Sequence, residues 1–238
     1  MKNLLARIPG YYVRREVRNS ISFYGDISDS AFNRVPSHGY SLFKTHLPPT
    51  QQNLDCLFRN GVEKILVTHR DLRDICVSRY YRLLSDPKRP YAPDYIDYAS
   101  MEREKALDHS IEAVRRGFVP WIRGWFDLAN NNPDIFCFVR FEDLKRDTER
   151  EFRRVLAFYG IKLGDAIVRD IVFQAKGRGK LADNLGQARV KPFALSSNFR
   201  SGKTGAWKNE LTEHQIQRAK ELFGEVLIEQ GHEKDLNW

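Results

Sequence analysis

Three short runs of apolar, β-prone residues break off abruptly in charged or hydroxyl-bearing ones: Leu42-Phe43-Lys44-Thr45, Ile65-Leu66-Val67-Thr68 and Ile135-Phe136-Cys137-Phe138-Val139. Each predicts a strand. The third is apolar throughout, as expected of a central parallel strand buried on both faces. Elsewhere the apolar positions fall into helical spacing. Asn3 to Ile8 reads as the end of a helix stopped by Pro9-Gly10, and Leu54 to Phe58 as a short helix. Asp71-x-x-Asp74 opens a helix that runs to about Tyr81, with its acidic residues near the positive N-terminal end. Longer patterns cover residues 101–130, 147–159 (stopped by Gly160), 165–175 and 210–230. Trp121 and Trp125 lie four apart on one face of the first of these and read as core anchors in preference to a ligand-stacking pair. Polar residues 18–40, and 86–98 with its prolines, read as loops.

Strands alternating with helices predict an α/β fold, a parallel sheet flanked by helices on both faces, in a single domain spanning 1–238. Ligands in such folds bind beyond the carboxyl ends of the strands. Lys44, Arg70 and Arg140 stand at those ends.

The chain has 238 residues, 42% of them hydrophobic, which suits a globular core. A net charge of +8 implies an acidic partner: nucleic acid, anionic lipid or a polyanionic small molecule. Charge alone does not choose among them. No apolar run approaches the roughly 18 residues that span a bilayer, and residues 1–16 lack a signal-peptide core, so a cytoplasmic protein is expected. Cys56, Cys76 and Cys137 are odd in number and set among apolar neighbours, which predicts packed, reduced thiols and no zinc site.

Lys44 and His46 share a parity, so on an extended segment both side chains face one way. A lone histidine is more often structural. The adjacent cation favours a neutral imidazole able to accept a proton. His69 has the opposite parity to Arg70 and reads as structural. Arg70, at a strand end, and Ser78, eight residues on and in the next helix, are suited to converge on a phosphate. They suit equally a surface arginine and an ordinary helical serine. Gly202-Lys203-Thr204 invites a P-loop reading, but the glycine needed five positions earlier is Ser197. The surrounding stretch, 176–210, is a cationic, glycine-rich loop of functional length, suited to wrapping an anion. Glu142-Asp143 reads as a helix start.

Taken together, Lys44-Thr45-His46-Leu47-Pro48, Arg70 with Ser78, Phe141-Glu142-Asp143-Leu144, and Phe199-Arg200 through Trp207-Lys208-Asn209 resemble, in order, the motifs of the cytosolic-type sulfotransferases. These enzymes use 3′-phosphoadenosine 5′-phosphosulfate (PAPS) and release the desulfated nucleotide (PAP). The resemblance implies a P-loop-NTPase-like parallel sheet and a small-molecule acceptor with a hydroxyl or amine. It implies neither a metal nor nucleic-acid or membrane partners, and leaves the oligomeric state open. It also implies roles: His46 as general base, Lys44 as the cation steadying the transferring group, and Arg70, Ser78, Arg200 and Gly202 as the 3′-phosphate clamp. Phe141 and Phe173 stand near the adenine, and Trp207 is a structural member of its motif.

One family signature is missing. A Lys-Ser-Gly-Thr-Thr segment after the first strand should bind the 5′-phosphosulfate, and the chain has none. Residues 3–7 resemble the tail of the helix that follows that loop, so the expectation is of a chain starting downstream of the family's first strand. That leaves a second reading open: a non-catalytic nucleotide-binding protein that keeps the 3′-phosphate clamp.

Overall fold

The computed structural model describes residues 1–13, 25–33, 40–85, 98–176 and 203–238, with Tyr12, Val13 and Lys176 by backbone alone. In chain order the elements are α1 (Lys2–Leu5), β1 (Tyr11–Val13), a tight helical turn (Asp29–Phe32), β2 (Tyr40–Leu42), α2 (Gln51–Arg59), β3 (Ile65–His69) and α3 (Leu72–Ser85). There follow α4 (Arg103–Asn131), β4 (Phe136–Arg140), α5 (Phe141–Arg146), α6 (Thr148–Tyr159), α7 (Asp165–Lys176), a second tight turn (Ala206–Asn209) and α8 (Glu213–Glu229). They form two compact units: Met1–His69 with Gly124–Arg189, and Arg70–Arg123 with Val190–Trp238.

The strands of the first unit pair in parallel, as the alternation of strands and helices predicts. β3 lies against β4 in register from Ile65↔Phe136 to His69↔Arg140, and β1 lies against β2 from Tyr11↔Tyr40 to Val13↔Leu42. The apolar run of β4 enters the core, where Val139 and Phe152 are fully buried among Leu4 and Leu5 of α1, Val155 and Leu156 of α6, and Ile171 and Val172 of α7. Arg154 fastens α6 to β4, donating to the Phe138 carbonyl (2.6 Å) and to the Cys137 Sγ (3.3 Å). The helix ends where the sequence predicts, at Gly160, whose φ of 69° is the left-handed cap that glycine adopts most easily. α2 is longer than expected because Thr50 caps it, accepting from the Asn53 amide at 3.3 Å.

The turn at Asp29 is held to the end of α2 by a forked ion pair: Arg59 Nε and Nη2 donate to the two carboxylate oxygens at 3.0 and 3.1 Å, and Asn60 Nδ2 donates at 2.6 Å. The Arg59 hydrogen bonds, then that of Asn60, pull the Asp29 carboxyl down from 3.8 to about 2. Its folded value is the lower one, so its stabilising effect is present above the unfolded value and fades as pH falls toward 2. An NMR titration should find the Asp29 midpoint near 2, and Arg59→Ala should return it toward 3.8. An unmoved midpoint in the variant would mean that the fork does not set it.

In the second unit Ser110 Oγ on α4 donates to the Cys76 carbonyl of α3 (2.8 Å). Gln215 Nε2 on α8 reaches the Glu104 carbonyl and Asp108 Oδ1, both at 3.0 Å. Thr212 and Gln215 form a reciprocal capping box at the start of α8. The tail 231–238 folds back on this helix at Gly224, where a Cβ would sit 2.7 Å from Leu236 Cδ2. Cys56, Cys76 and Cys137 are free and buried, and burial pushes the Cys76 thiol far up. Among the described residues no helix is long and apolar enough to cross a membrane.

Candidate functional site

The predicted site residues fall in both units. In the first, β2 ends at Leu42, so Lys44 and His46 lie beyond the strand and not within it. The expected strand over 42–45 is therefore shifted toward the N-terminus. Two local forces account for this. Tyr40 stacks on Tyr11 at 4.8 Å, fixing the pairing early. Thr45 Oγ1 accepts from the Leu47 amide at 3.3 Å, and the prolines at 48 and 49 have no amide for a ladder. Strand parity consequently does not govern how Lys44 and His46 are directed. Lys44 is exposed and His46 half-buried.

The segment that carries them is nonetheless held firmly. Trp125 Nε1 donates to the carbonyl of buried Leu47 at 3.0 Å, which gives that tryptophan the anchoring role expected of it. Asn53, fully buried, donates through Nδ2 to the Pro48 carbonyl (3.0 Å) and accepts from the Ile27 amide (2.8 Å). Pro49 packs so close to Gly124 that a Cβ there would stand 2.6 Å from its Cγ. Burial, then the charges of Lys44 and Lys2, press the Met1 amino group down to about 6.

Phe141 is the first residue of α5 and half-buried, while Phe173 on α7 is 63% exposed. Glu142 and Asp143 occupy the first turn of α5, as a helix start should. Asp143 is bound by Arg140 (2.6 and 3.0 Å) and Arg146 (2.6 Å), and the Arg140 hydrogen bonds hold its carboxyl below the usual range. His69 is buried against the Phe138 ring at 5.3 Å, in keeping with a structural part.

In the second unit, Arg70 Nη2 donates to Asp74 Oδ2 at 3.0 Å and to the Lys203 carbonyl. Asp74 also accepts from the amides of Gly205 (2.8 Å) and Trp207 (3.1 Å). Gly205 takes φ 73°, the left-handed conformation in which a side chain would be strained, and leads into the turn Ala206–Asn209. Arg70 and Asp74 are thus joined to the backbone at Lys203, Gly205 and Trp207. Ser78, half-buried, lies further along α3, while Arg200 and Gly202 fall outside the described residues. Sequence reasoning misses Asp74 as a member of this cluster; its i,i+4 spacing from Arg70 is the available signal.

Beside this knot Arg73 is almost fully buried, its guanidinium 3.9 Å from the Trp207 ring centre and 4.2 Å from that of Trp238. It pairs with Asp71 and Glu233, each at 2.6 Å. Trp207, expected as a structural member of its motif, is buried here.

The profile of the family described as "Sulfotransferase domain" matches residues 11–231. Human Sulfotransferase 1C2 is 28% identical over 194 residues, covering 76% of this chain and 60% of that protein. Mouse Sulfotransferase 2B1 is 26% identical over 210 residues, covering 85% of this chain and 57% of that protein. The chain therefore spans less than two thirds of these relatives' length. The crystal structure of mouse sulfotransferase SULT7A1 complexed with PAP superposes with a TM-score of 0.65 at 20% identity, over 95% of this chain and 78% of that one. That likeness shows a shared fold.

Proposed function

Because this chain belongs to the sulfotransferase domain family, we propose that it transfers a sulfuryl group from PAPS to a hydroxyl or amine of a small-molecule acceptor, releasing PAP. The observation that carries the reading is the family match over residues 11–231, which contains all four motifs in their family order. The PAP in the structure of the mouse sulfotransferase supports the choice of nucleotide.

In this reading the acceptor oxygen or nitrogen attacks sulfur as the bond from sulfur to the 5′-phosphate oxygen breaks. His46 takes the acceptor's proton, and PAP leaves with the electron pair. Negative charge spreads over the sulfuryl oxygens in the transition state, so a fixed cation stabilises it without covalent help, by analogy with phosphoryl transfer. Lys44 fills that role. Arg70, Ser78, Arg200 and Gly202 grip the 3′-phosphate, and Phe141 and Phe173 flank the adenine. The firm attachment of residues 47–49 supports a base that must be held in place.

The alternative reading is a non-catalytic nucleotide-binding protein that keeps the 3′-phosphate clamp and binds PAP through it.

Two measurements separate these readings. Sulfate transfer from labelled PAPS to an acceptor panel is assayed with the chain, alone and with any coding sequence in frame upstream of Met1; PAP affinity is measured in parallel. Transfer supports the enzyme, and binding without transfer in both forms supports the binder. Arg70→Ala should weaken PAP binding about ten- to a hundredfold, the usual worth of a hydrogen-bonded charge. Unchanged PAP affinity in that variant would remove Arg70 from the clamp.

A further inference from the structure

Asp74 reads from the sequence as an acidic residue placed at the positive end of a helix, and the fold gives it a different task. Its side chain is wholly buried. Oδ2 accepts from Arg70 Nη2 and from the Gly205 amide, and Oδ1 accepts from the Trp207 amide, 133 residues away in sequence. A buried carboxylate is unfavourable unless its oxygens are matched by donors, and here two backbone amides and a guanidinium supply them. Arg70 in turn holds the Lys203 carbonyl, so guanidinium, carboxylate and the Lys203–Gly205 backbone form one closed network.

We propose that Asp74 is a positioning residue that sets Arg70 for the 3′-phosphate before any nucleotide arrives. It fixes the direction of the Arg70 guanidinium and ties it to the backbone at Gly205 and Trp207. A side chain already aimed does not lose affinity to ordering on binding. The chemistry requires a carboxylate at this place: the amide of an asparagine would put an NH2 group where one acceptor oxygen stands, and that group would meet N–H donors head-on. This inference rests on the nucleotide-binding reading above.

The test compares affinity for PAP with affinity for adenosine 5′-phosphate, which lacks the 3′-phosphate, in the wild type, Asp74→Asn, Arg70→Ala and the double variant. The wild type should prefer PAP. Asp74→Asn should cut that preference about ten- to a hundredfold while leaving adenosine 5′-phosphate binding unchanged, a split that general unfolding does not produce. The double variant should lose little more than Arg70→Ala alone, since both changes break one network. If the wild type and Arg70→Ala behave as stated but Asp74→Asn keeps the full preference, the role of Asp74 is overturned and the clamp stands. If the wild type shows no preference for PAP, the nucleotide-binding reading itself fails. Should Asp74→Asn not fold, hydrogen exchange in the wild type decides: the Gly205 and Trp207 amides should be protected without nucleotide. Exchange at free-peptide rates until PAP is added would overturn preassembly.

Discussion

His46→Ala is expected to lower the turnover of sulfuryl transfer by about 10²–10⁴, the usual contribution of a positioned general base. PAP affinity should stay as in the wild type, because the clamp residues belong to other segments. A hydroxyl acceptor must give up its proton to become a sulfate ester. Without a base, that proton must pass to water as the bond to sulfur forms. The pH dependence gives a second readout: transfer in the wild type should fall on the acid side as the imidazole becomes protonated, and this limb should disappear in the variant. Full activity in His46→Ala would remove the base assignment. Lost activity together with lost PAP binding would point instead to collapse of the segment that Trp125 and Asn53 hold.

Arg73→Ala is expected to destabilise the protein by about 3–5 kcal/mol, the typical result of removing one member of a buried ion pair. Three losses coincide. Asp71, itself buried, is left with its charge uncompensated by the fork that donates through Nε (3.0 Å) and Nη2 (2.6 Å). Glu233 loses its partner at 2.6 Å, freeing the tail that carries it. Trp207 and Trp238 lose the planar cation over their rings, an interaction worth about 2 kcal/mol or more when desolvated. Arg73→Lys should recover part of the effect, since an ammonium keeps the charge but lacks the fork and the flat face. Urea unfolding measures all three proteins. If Arg73→Ala lowers stability by less than about 1 kcal/mol, the buried cluster has little to do with holding the tail.

The sequence exposes those parts of the fold whose local signals agree with their surroundings. β4 is legible because a strand that enters the core must be apolar along its whole length. α6 is legible because an amphipathic run ends in a glycine able to take the left-handed cap. β2 is read too late along the chain: a pattern of apolar residues does not reveal that Tyr11 and Tyr40 pair, or that Thr45 turns its hydroxyl on the backbone. Arg73 is hidden for a related reason. An arginine near a helix start ordinarily faces water, and its burial depends on Trp207, Glu233 and Trp238, all more than a hundred residues away. Of the candidate site, the motif residues are legible by resemblance. Asp74 shows only through its i,i+4 spacing from Arg70, since the amides it accepts from belong to no side-chain pattern.

The placement of the tryptophans has an optical consequence. Trp207 and Trp238 meet edge to face at 5.8 Å with a cation against both. Trp121, Trp207 and Trp238 belong to the second compact unit, and Trp125 is the one tryptophan of the first. Near-ultraviolet circular dichroism arises from rings held in fixed, asymmetric surroundings and vanishes when packing loosens. Subtracting the spectrum of Trp125→Phe from that of the wild type isolates the chromophore beside Leu47, and the Trp207–Trp238 pair reports on the tail. The molecule therefore carries an intrinsic light-absorbing label in each unit, and no dye is needed to follow them separately.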